Sequence, residues 1–354
     1  MSLLGMESWD IYAVGDVTDY FQTVDAGNST IVAGAGRCSS AAFRNTSAVG
    51  NGVTIGVETA VSSGYAAWAH NADAFQVTAS FEVQAADGSV LMFARVIADG
   101  SVDIWKGPNT TLGTLLGATA AGLISAGTYS HIGLEWNFHA STGYARIYIN
   151  KAQGGSANFA SGNTDTTNIW TSGQWHTLAW LPKGYIDDLY WGDTVGASPW
   201  NAFLGDCRVQ GQLALTDAVG GVATYRDFTP SAGTDHGALV DENPPDDATT
   251  YLSSATIGHR ETLFFPAISI STGTVYAVQL MPNAVKTSAG GRQIQNFIRV
   301  SSGSTSLAGQ IWSPSQTNYK YYPAVMQTNP AAGGAAWTAS TVNTGFEGGI
   351  EIVA

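Results

Sequence analysis

Along much of this chain apolar and polar residues alternate with a period of two, and almost nowhere do they recur at the 3.6-residue spacing of a helix. Over residues 74–84, Phe75, Val77, Ala79, Phe81 and Val83 fall on one side, and Gln76, Thr78, Ser80, Glu82 and Gln84 on the other. That is the pattern of a half-buried antiparallel strand. Residues 90–98 and 102–106 flank Asp99-Gly100, a strong short hairpin signal because both central turn residues need positive φ. Residues 131–138 and 144–150 flank Ser141-Thr142-Gly143 in the same way. Ile132, Leu134, Trp136 and Phe138 share one face there, as do Ala145, Ile147 and Ile149. Further strands are expected at 184–191, 206–213, 275–280, 295–300, 319–326 and 349–353. Ala-rich stretches such as 118–121 are cut by Gly122 and Gly127 before a helix can grow. The fold class is therefore all-β, in sandwiches rather than parallel sheets.

Length and texture predict two domains. Residues 215–221 are small and polar, without a strong alternating face, and read as a linker or a long surface connection. Beyond them Pro244-Pro245 forbids a ladder within the turn-rich stretch 241–247. The expected division is residues 1–213 as one sandwich and 214–354 as a smaller one.

Lys+Arg 14 against Asp+Glu 27 gives a net charge of -13, and no stretch clusters three cations. Nucleic acid is excluded as a partner, since phosphate binding needs concentrated positive charge. Hydrophobic residues at 44% and aromatic residues at 11% supply a core and exclude disorder. The first cation is Arg37, no apolar run precedes it, and no segment is long enough to span a membrane. Synthesis and folding in a reducing cytosol are expected, with Cys38 and Cys207 read as buried free thiols in preference to a bridge between them.

No phosphate loop, H-E-x-x-H, C-x-x-C or G-x-S-x-G motif occurs. Gly34-Ala35-Gly36-Arg37 opens like a dinucleotide fingerprint but lacks the third Gly and a following helix. His70, His131, His139, His176, His236 and His259 are scattered and read as satisfied surface or rim histidines. Asp187 and Asp188 fall on opposite faces of one strand, so one must point inward. They read as a calcium ligand or catalytic acid, or as a buried carboxylate accepting backbone amides, and the second is favoured. Asp241, Glu242, Asp246 and Asp247 are loop carboxylates of the kind calcium uses, but at no calcium-loop spacing. Asp16 and Asp19 read as cap or turn residues. Trp105, Trp170, Trp175, Trp180, Trp191 and Trp200 are either core or sugar-stacking platforms, with core favoured. No catalytic or metal residue is assigned, no cofactor is expected, and ligand-binding residues are left open.

The opening Leu3-Leu4-Gly5-Met6-Glu7-Ser8-Trp9-Asp10-Ile11-Tyr12 resembles the start of a group of tailed-phage virion proteins, with Glu7, Ser8 and Trp9 where the group has Asp, Gly and Phe. Leu112-Gly113-Thr114, Gly127-Thr128-Tyr129-Ser130-His131-Ile132-Gly133-Leu134-Glu135 and Gly143-Tyr144-Ala145-Arg146-Ile147-Tyr148-Ile149-Asn150 are similar to the hairpin of laminin-G or concanavalin-A-like jelly rolls. Tyr185-Ile186-Asp187-Asp188-Leu189-Tyr190 and Phe203-Leu204-Gly205-Asp206-Cys207-Arg208-Val209 resemble the phage group's closing strands. Phe228-Thr229-Pro230, Val240-Asp241-Glu242-Asn243-Pro244-Pro245-Asp246, Tyr251-Leu252-Ser253-Ser254, Asn329-Pro330 and Ala336-Trp337-Thr338 follow in the group's order. The resemblance implies a concanavalin-A-like jelly-roll sandwich followed by a smaller C-terminal β-sandwich.

It also implies a non-enzymatic structural part of a virion, assembled in the host bacterial cytoplasm. A tail-fibre or baseplate position is favoured over capsid decoration or a head fibre. The implied partners are other virion proteins and further copies of the chain, with a host-surface glycan as an additional one. No membrane insertion is expected. A glycan-binding adhesin module and a polysaccharide-degrading enzyme are the rival readings. Against the enzyme, no glutamate begins the E-x-D-x-x-E strand that laminarinase-type glycosidases on this fold carry.

Overall fold

A computed structural model describes residues 3–11, 16–25, 27–47, 52–75, 78–108, 113–162, 175–270, 272–300, 305–344 and 346–354. The fold is all-β: among the described residues the α-helices are the short Asp217–Gly220 and Ala339–Asn343. The chain divides into two units. One comprises Met1–Asp10 and Phe21–Gln210, and the other Ile11–Tyr20 and Gly211–Ala354.

Among the described residues, fifteen strands build the first unit. They are β1 (Leu3–Glu7), β2 (Thr23–Val24), β3 (Ser29–Val32), β4 (Ala42–Asn45), β5 (Val53–Val61), β6 (Ser63–Ala72), β7 (Phe81–Gln84) and β8 (Val90–Val96), followed by β9 (Val102–Lys106), β10 (Thr114–Ala118), β11 (Ser130–Asn137), β12 (Tyr144–Ile149), β13 (Phe159–Ser161), β14 (Trp175–Trp180) and β15 (Gly184–Asp193). The eight-stranded sheet runs β13-β12-β11-β6-β15-β4-β3, with β1 added on β15, and the seven-stranded sheet runs β10-β9-β8-β7-β14-β5-β2. Every pairing is antiparallel.

Rings from both sheets meet between them. Trp68 of β6 stacks on Phe81 of β7 with centroids 5.2 Å apart, Trp136 of β11 meets Trp175 of β14 at 5.5 Å, and Trp191 of β15 meets Trp180 of β14 at 5.6 Å. These aromatic side chains are fully buried, and pairs of this geometry add about 0.5–1.5 kcal/mol each beyond their burial. Alternation explains the contacts: residues two apart on β11 and β12 put Ile132, Leu134, Trp136, Ala145 and Ile147 into this layer.

The β8–β9 hairpin forms, but only Gly100 of the Asp99-Gly100 pair takes positive φ (+77°), not both as expected: the Gly100 amide closes a turn on Ile97 O at 2.9 Å, and the Ile97 amide donates to Ser101 O at 3.0 Å. A Cβ on Gly100 would stand 2.3 Å from Ile124 O, so both conformation and space demand glycine. The β11–β12 connection is tied by His139, whose Nδ1 accepts the amides of Ser141 (3.2 Å) and Thr142 (3.0 Å).

Four strand expectations change, the first being 275–280, which pairs only over Val278–Leu280. The 74–84 ladder shrinks to Phe81–Gln84, with Gln76 and Val77 outside the described residues. Residues 206–213 form no ladder; they run as an extended segment tied by side chains. The 319–326 run is split into Lys320–Tyr321 and Ala324–Met326 around Pro323, which has no amide to donate.

The second unit is built on a four-stranded sheet in the order Arg260–Phe264, Glu347–Ile352, Ile294–Arg299, Thr305–Trp312, with four two-stranded ladders. Leu280, Ile298, Met326, Trp337 and Phe346 form one apolar cluster, and Phe228, Ile294, Tyr322 and Ile352 another. The 215–221 stretch, expected as a linker, is docked instead: Leu215 N donates to Phe264 O at 2.9 Å, and a Cβ on Gly220 would meet Phe264 Cβ at 2.9 Å.

Candidate functional site

β6, β11 and β15 are buried along nearly their whole length. One face of each meets the aromatic core. Over the opposite face lies the segment 198–210, a strap whose Phe203 and Leu204 are buried.

The site forms where β15 changes neighbours. On one side, residues 184–186 pair with β4 and residues 189–192 with β1, leaving Asp187 and Asp188 at the seam. On the other side the register against β6 slips: Asp187 opposes Ala69, but Tyr190 opposes Ala67. One extra residue is accommodated there with Asp188 at φ +52°, a bulge that Asp tolerates better than a branched residue would. The slip breaks the period of two, and this corrects the expectation that the two carboxylates face opposite ways. Both are buried, and both engage Arg37.

Asp187 Oδ2 accepts the Arg37 amide and the Ser40 hydroxyl, each at 2.8 Å, while its Oδ1 accepts the Asp188 amide at 2.8 Å. Asp188 Oδ2 accepts Arg37 Nε at 2.8 Å, and its Oδ1 accepts the Val209 amide at 2.7 Å. The guanidinium also bridges to Asp206 and donates through Nη2 to Cys207 O at 2.8 Å. The loop can approach only because residue 36 is glycine: a Cβ there would stand 2.6 Å from Asp187 Oδ2. Gly34-Ala35-Gly36-Arg37, discarded as a nucleotide motif, is thus a loop shaped to bring an arginine onto buried acids.

Asp188 and Asp206 share one guanidinium, while Asp187 is tied to the backbone amide of the same arginine. Burial, and then the Asp188 charge, push the Asp187 carboxyl up to about 7, against the pull of its three donors. Burial also raises Asp188, opposed chiefly by the Arg37 charge. Although burial disfavours its charge, Arg37 is held protonated more firmly than usual by Asp188 and Asp206. This is a clamp joining the 34–41 loop, β15 and the strap. The favoured sequence reading, a buried carboxylate taking backbone amides from a neighbouring loop, describes Asp187 as it stands. Arg37 and Ser40 were not legible as its partners, lying in a loop without motif or period.

The other candidates fall elsewhere. Glu242 Oε1 and Asp246 Oδ1 both accept the Thr250 hydroxyl, at 2.9 and 2.8 Å, so this loop closes on itself. Asp241 and Asp247 lie in the same turn. Asp19 pairs with Lys320 at 2.8 Å, and Asp16 opens the same 3-10 turn. Among the described residues no group of three or more His, Cys, Asp or Glu side chains is arranged to hold a metal ion. Trp175, Trp180 and Trp191 are core. Trp105 is partly exposed and stacks on Phe93 at 5.9 Å, Trp200 is half-buried, and Trp170 lies outside the described residues.

The histidine expectation fails for three of the six. His70, His131 and His236 are buried. His70 Nε2 contacts Lys183 O at 3.1 Å, and His236 Nδ1 meets Glu261 Oε1 at 2.7 Å. Among the described residues, neither ring nitrogen of His131 has a partner. Both cysteines are free thiols, but Cys38 is exposed rather than buried, and Cys207 is half-buried, with burial pushing its thiol up to about 12.

No protein family and no curated protein matches the sequence. Among solved structures, the chain is similar to a heptameric SAP-like pentraxin from Limulus polyphemus at 13% identity and a TM-score of 0.27, over 37% of this chain and 63% of that one, which is under two thirds of its length. It is also similar to domain 4 of an extracellular GH43 arabinanase from Geobacillus stearothermophilus, solved with arabinotriose, at 16% identity and a TM-score of 0.26, over 47% of this chain and 70% of that one. The fold stands on the strand pairing itself.

Proposed function

We propose that this chain is a non-enzymatic structural protein of a tailed-phage particle, assembled with other virion proteins and with further copies of itself. The observation that carries the reading is how the buried acids are used. Asp187 and Asp188 are bound to Arg37, which also reaches out to the exposed Asp206; Glu135 accepts Arg146 Nη1 at 2.7 Å and the Phe203 amide at 3.2 Å. In the second unit Glu347 accepts Arg299 Nη1 at 2.7 Å, the Thr262 hydroxyl at 2.8 Å and the Thr224 amide at 3.0 Å. A general acid or base has to reach a substrate proton. These groups reach loops and strands of their own chain, and so fasten long connections onto sheets.

The ordered segments of phage-like sequence supply the particle. Low charge on strands with exposed edges supplies the oligomer, since such edges need covering. The tail is the favoured position, with capsid decoration as the alternative. Imaging particles that carry a labelled copy tests this: density at the tail or baseplate is expected, density on the head moves the position, and no density removes the proposal. Incubation with host capsule and lipopolysaccharide is expected to release no sugar. Sugar release would establish the enzyme instead, and glycan-array binding would add an adhesive role.

A further inference from the structure

The strap is held almost entirely by polar ties. Tyr65 Oη donates to Trp200 O at 2.8 Å, Tyr190 Oη to Gly205 O at 2.6 Å, and the Asp206 amide to Lys151 O at 2.8 Å. The Phe203 amide on Glu135, the Val209 amide on Asp188 and Arg37 on Asp206 complete the set. Its main apolar anchor is the Phe203 ring, which stacks on Tyr148 at 4.3 Å and lies so close to β11 that a Cβ on Gly133 would stand 2.1 Å from it.

Sealed beneath is His131, 1% exposed, with its ring 6.0 Å from both Tyr190 and Phe203. Neither nitrogen has a partner among the described residues, so the imidazole gains nothing from the protein for staying polar there. The groups around it come from five elements. β15 supplies Tyr190, β6 the apolar Ala69, and the end of β12 Asn150, whose Oδ1 accepts the His131 amide. The strap supplies Phe203 and Asp206, and the 34–41 loop supplies Arg37. Asp206 favours an imidazolium and Arg37 opposes it. Burial outweighs both and lowers the imidazole to about 4.

We propose that residues 198–210 are an acid-released latch: a proton taken up by His131 opens the strap and bares the face formed by Tyr65, Tyr148 and Tyr190. An open strap lets water reach the ring and restores its ordinary affinity, so acid favours the open form. The gap between 6.5 and about 4 corresponds to a shift of about 300-fold in the opening equilibrium.

Hydrogen–deuterium exchange of the full chain, corrected for intrinsic rates, tests this at about pH 7.5 and about pH 4. Protection of the 198–210 peptide is expected to fall on the order of 100-fold or more in acid, while β6 and β11 peptides keep theirs. His131→Phe fills the slot with a ring that cannot titrate and is expected to abolish the fall. Tyr190→Phe, which loses the tie to Gly205, is expected to loosen the strap at both pH values and keep the fall. Equal strap protection of the wild type at both pH values overturns the proposal, whatever the variants do. So does an undiminished fall in His131→Phe, or loss of β6 and β11 protection together with the strap.

Discussion

Arg37 decides how much negative charge this sandwich can hold inside. With its side chain removed, the buried Asp188 loses its cation and the exposed Asp206 its partner, while Asp187 keeps the backbone amide, and breaking a buried ion pair from one side costs about 3–5 kcal/mol. Arg37→Met should therefore lower the denaturant midpoint of the first unit by that order, read by fluorescence of its buried tryptophans; a loss under about 1 kcal/mol would mean the clamp bears no weight. Asp187 yields a pH signature. Its folded-state value, raised by burial and by Asp188 to about 7, lies above the 3.8 of the unfolded chain. The native state thus holds a proton the unfolded chain releases, so this contribution is full in acid and lost as pH climbs from 3.8 to about 7. Subtracting Asp187→Asn from wild type isolates it from the buried histidines, which act in the opposite sense. The difference should fall across that window and stay flat above it; a flat difference throughout would contradict the assignment. None of this was legible at Arg37 itself, because its partners are up to 170 residues away in sequence.

At the scale of elements, legibility follows locality. The β8–β9 and β11–β12 hairpins could be read because alternation on each strand and a glycine-bearing turn between them agree. The bulge in β15 could not, since Asp-Asp inside an alternating run announces no change of phase; the slip comes from the strand changing partners from β4 to β1. Residues 206–213, whose first five end the strap, were misread as a strand for the same reason: Arg37 and Asp188 hold Cys207 and Val209 in place, not the segment's own pattern. Gly133 carries the element-scale prediction. Gly133→Ala sets a methyl where the Phe203 ring lies, so it should loosen the strap at neutral pH while the β11 ladder persists. Exchange of the 198–210 peptide checks it, and unchanged protection would show that Phe203 is not the anchor.

At the scale of the whole molecule the sequence disclosed class better than boundaries. All-β texture was readable; the grouping of residues 11–20 with the C-terminal unit was not, since it depends on contacts remote in the chain. Val219 and Val222, 74% and 68% exposed within four residues of each other, are apolar surface of the kind a neighbouring chain covers. Sedimentation velocity at micromolar concentration should accordingly show an oligomer, and a monomer would remove further copies of this chain as the cover. The most direct test of the proposed structural role is quantitative peptide mass spectrometry of purified tailed-phage particles from the source of this chain. A structural role predicts the chain in the particle at a fixed, symmetry-compatible ratio to the other virion proteins; its absence from washed particles would contradict it.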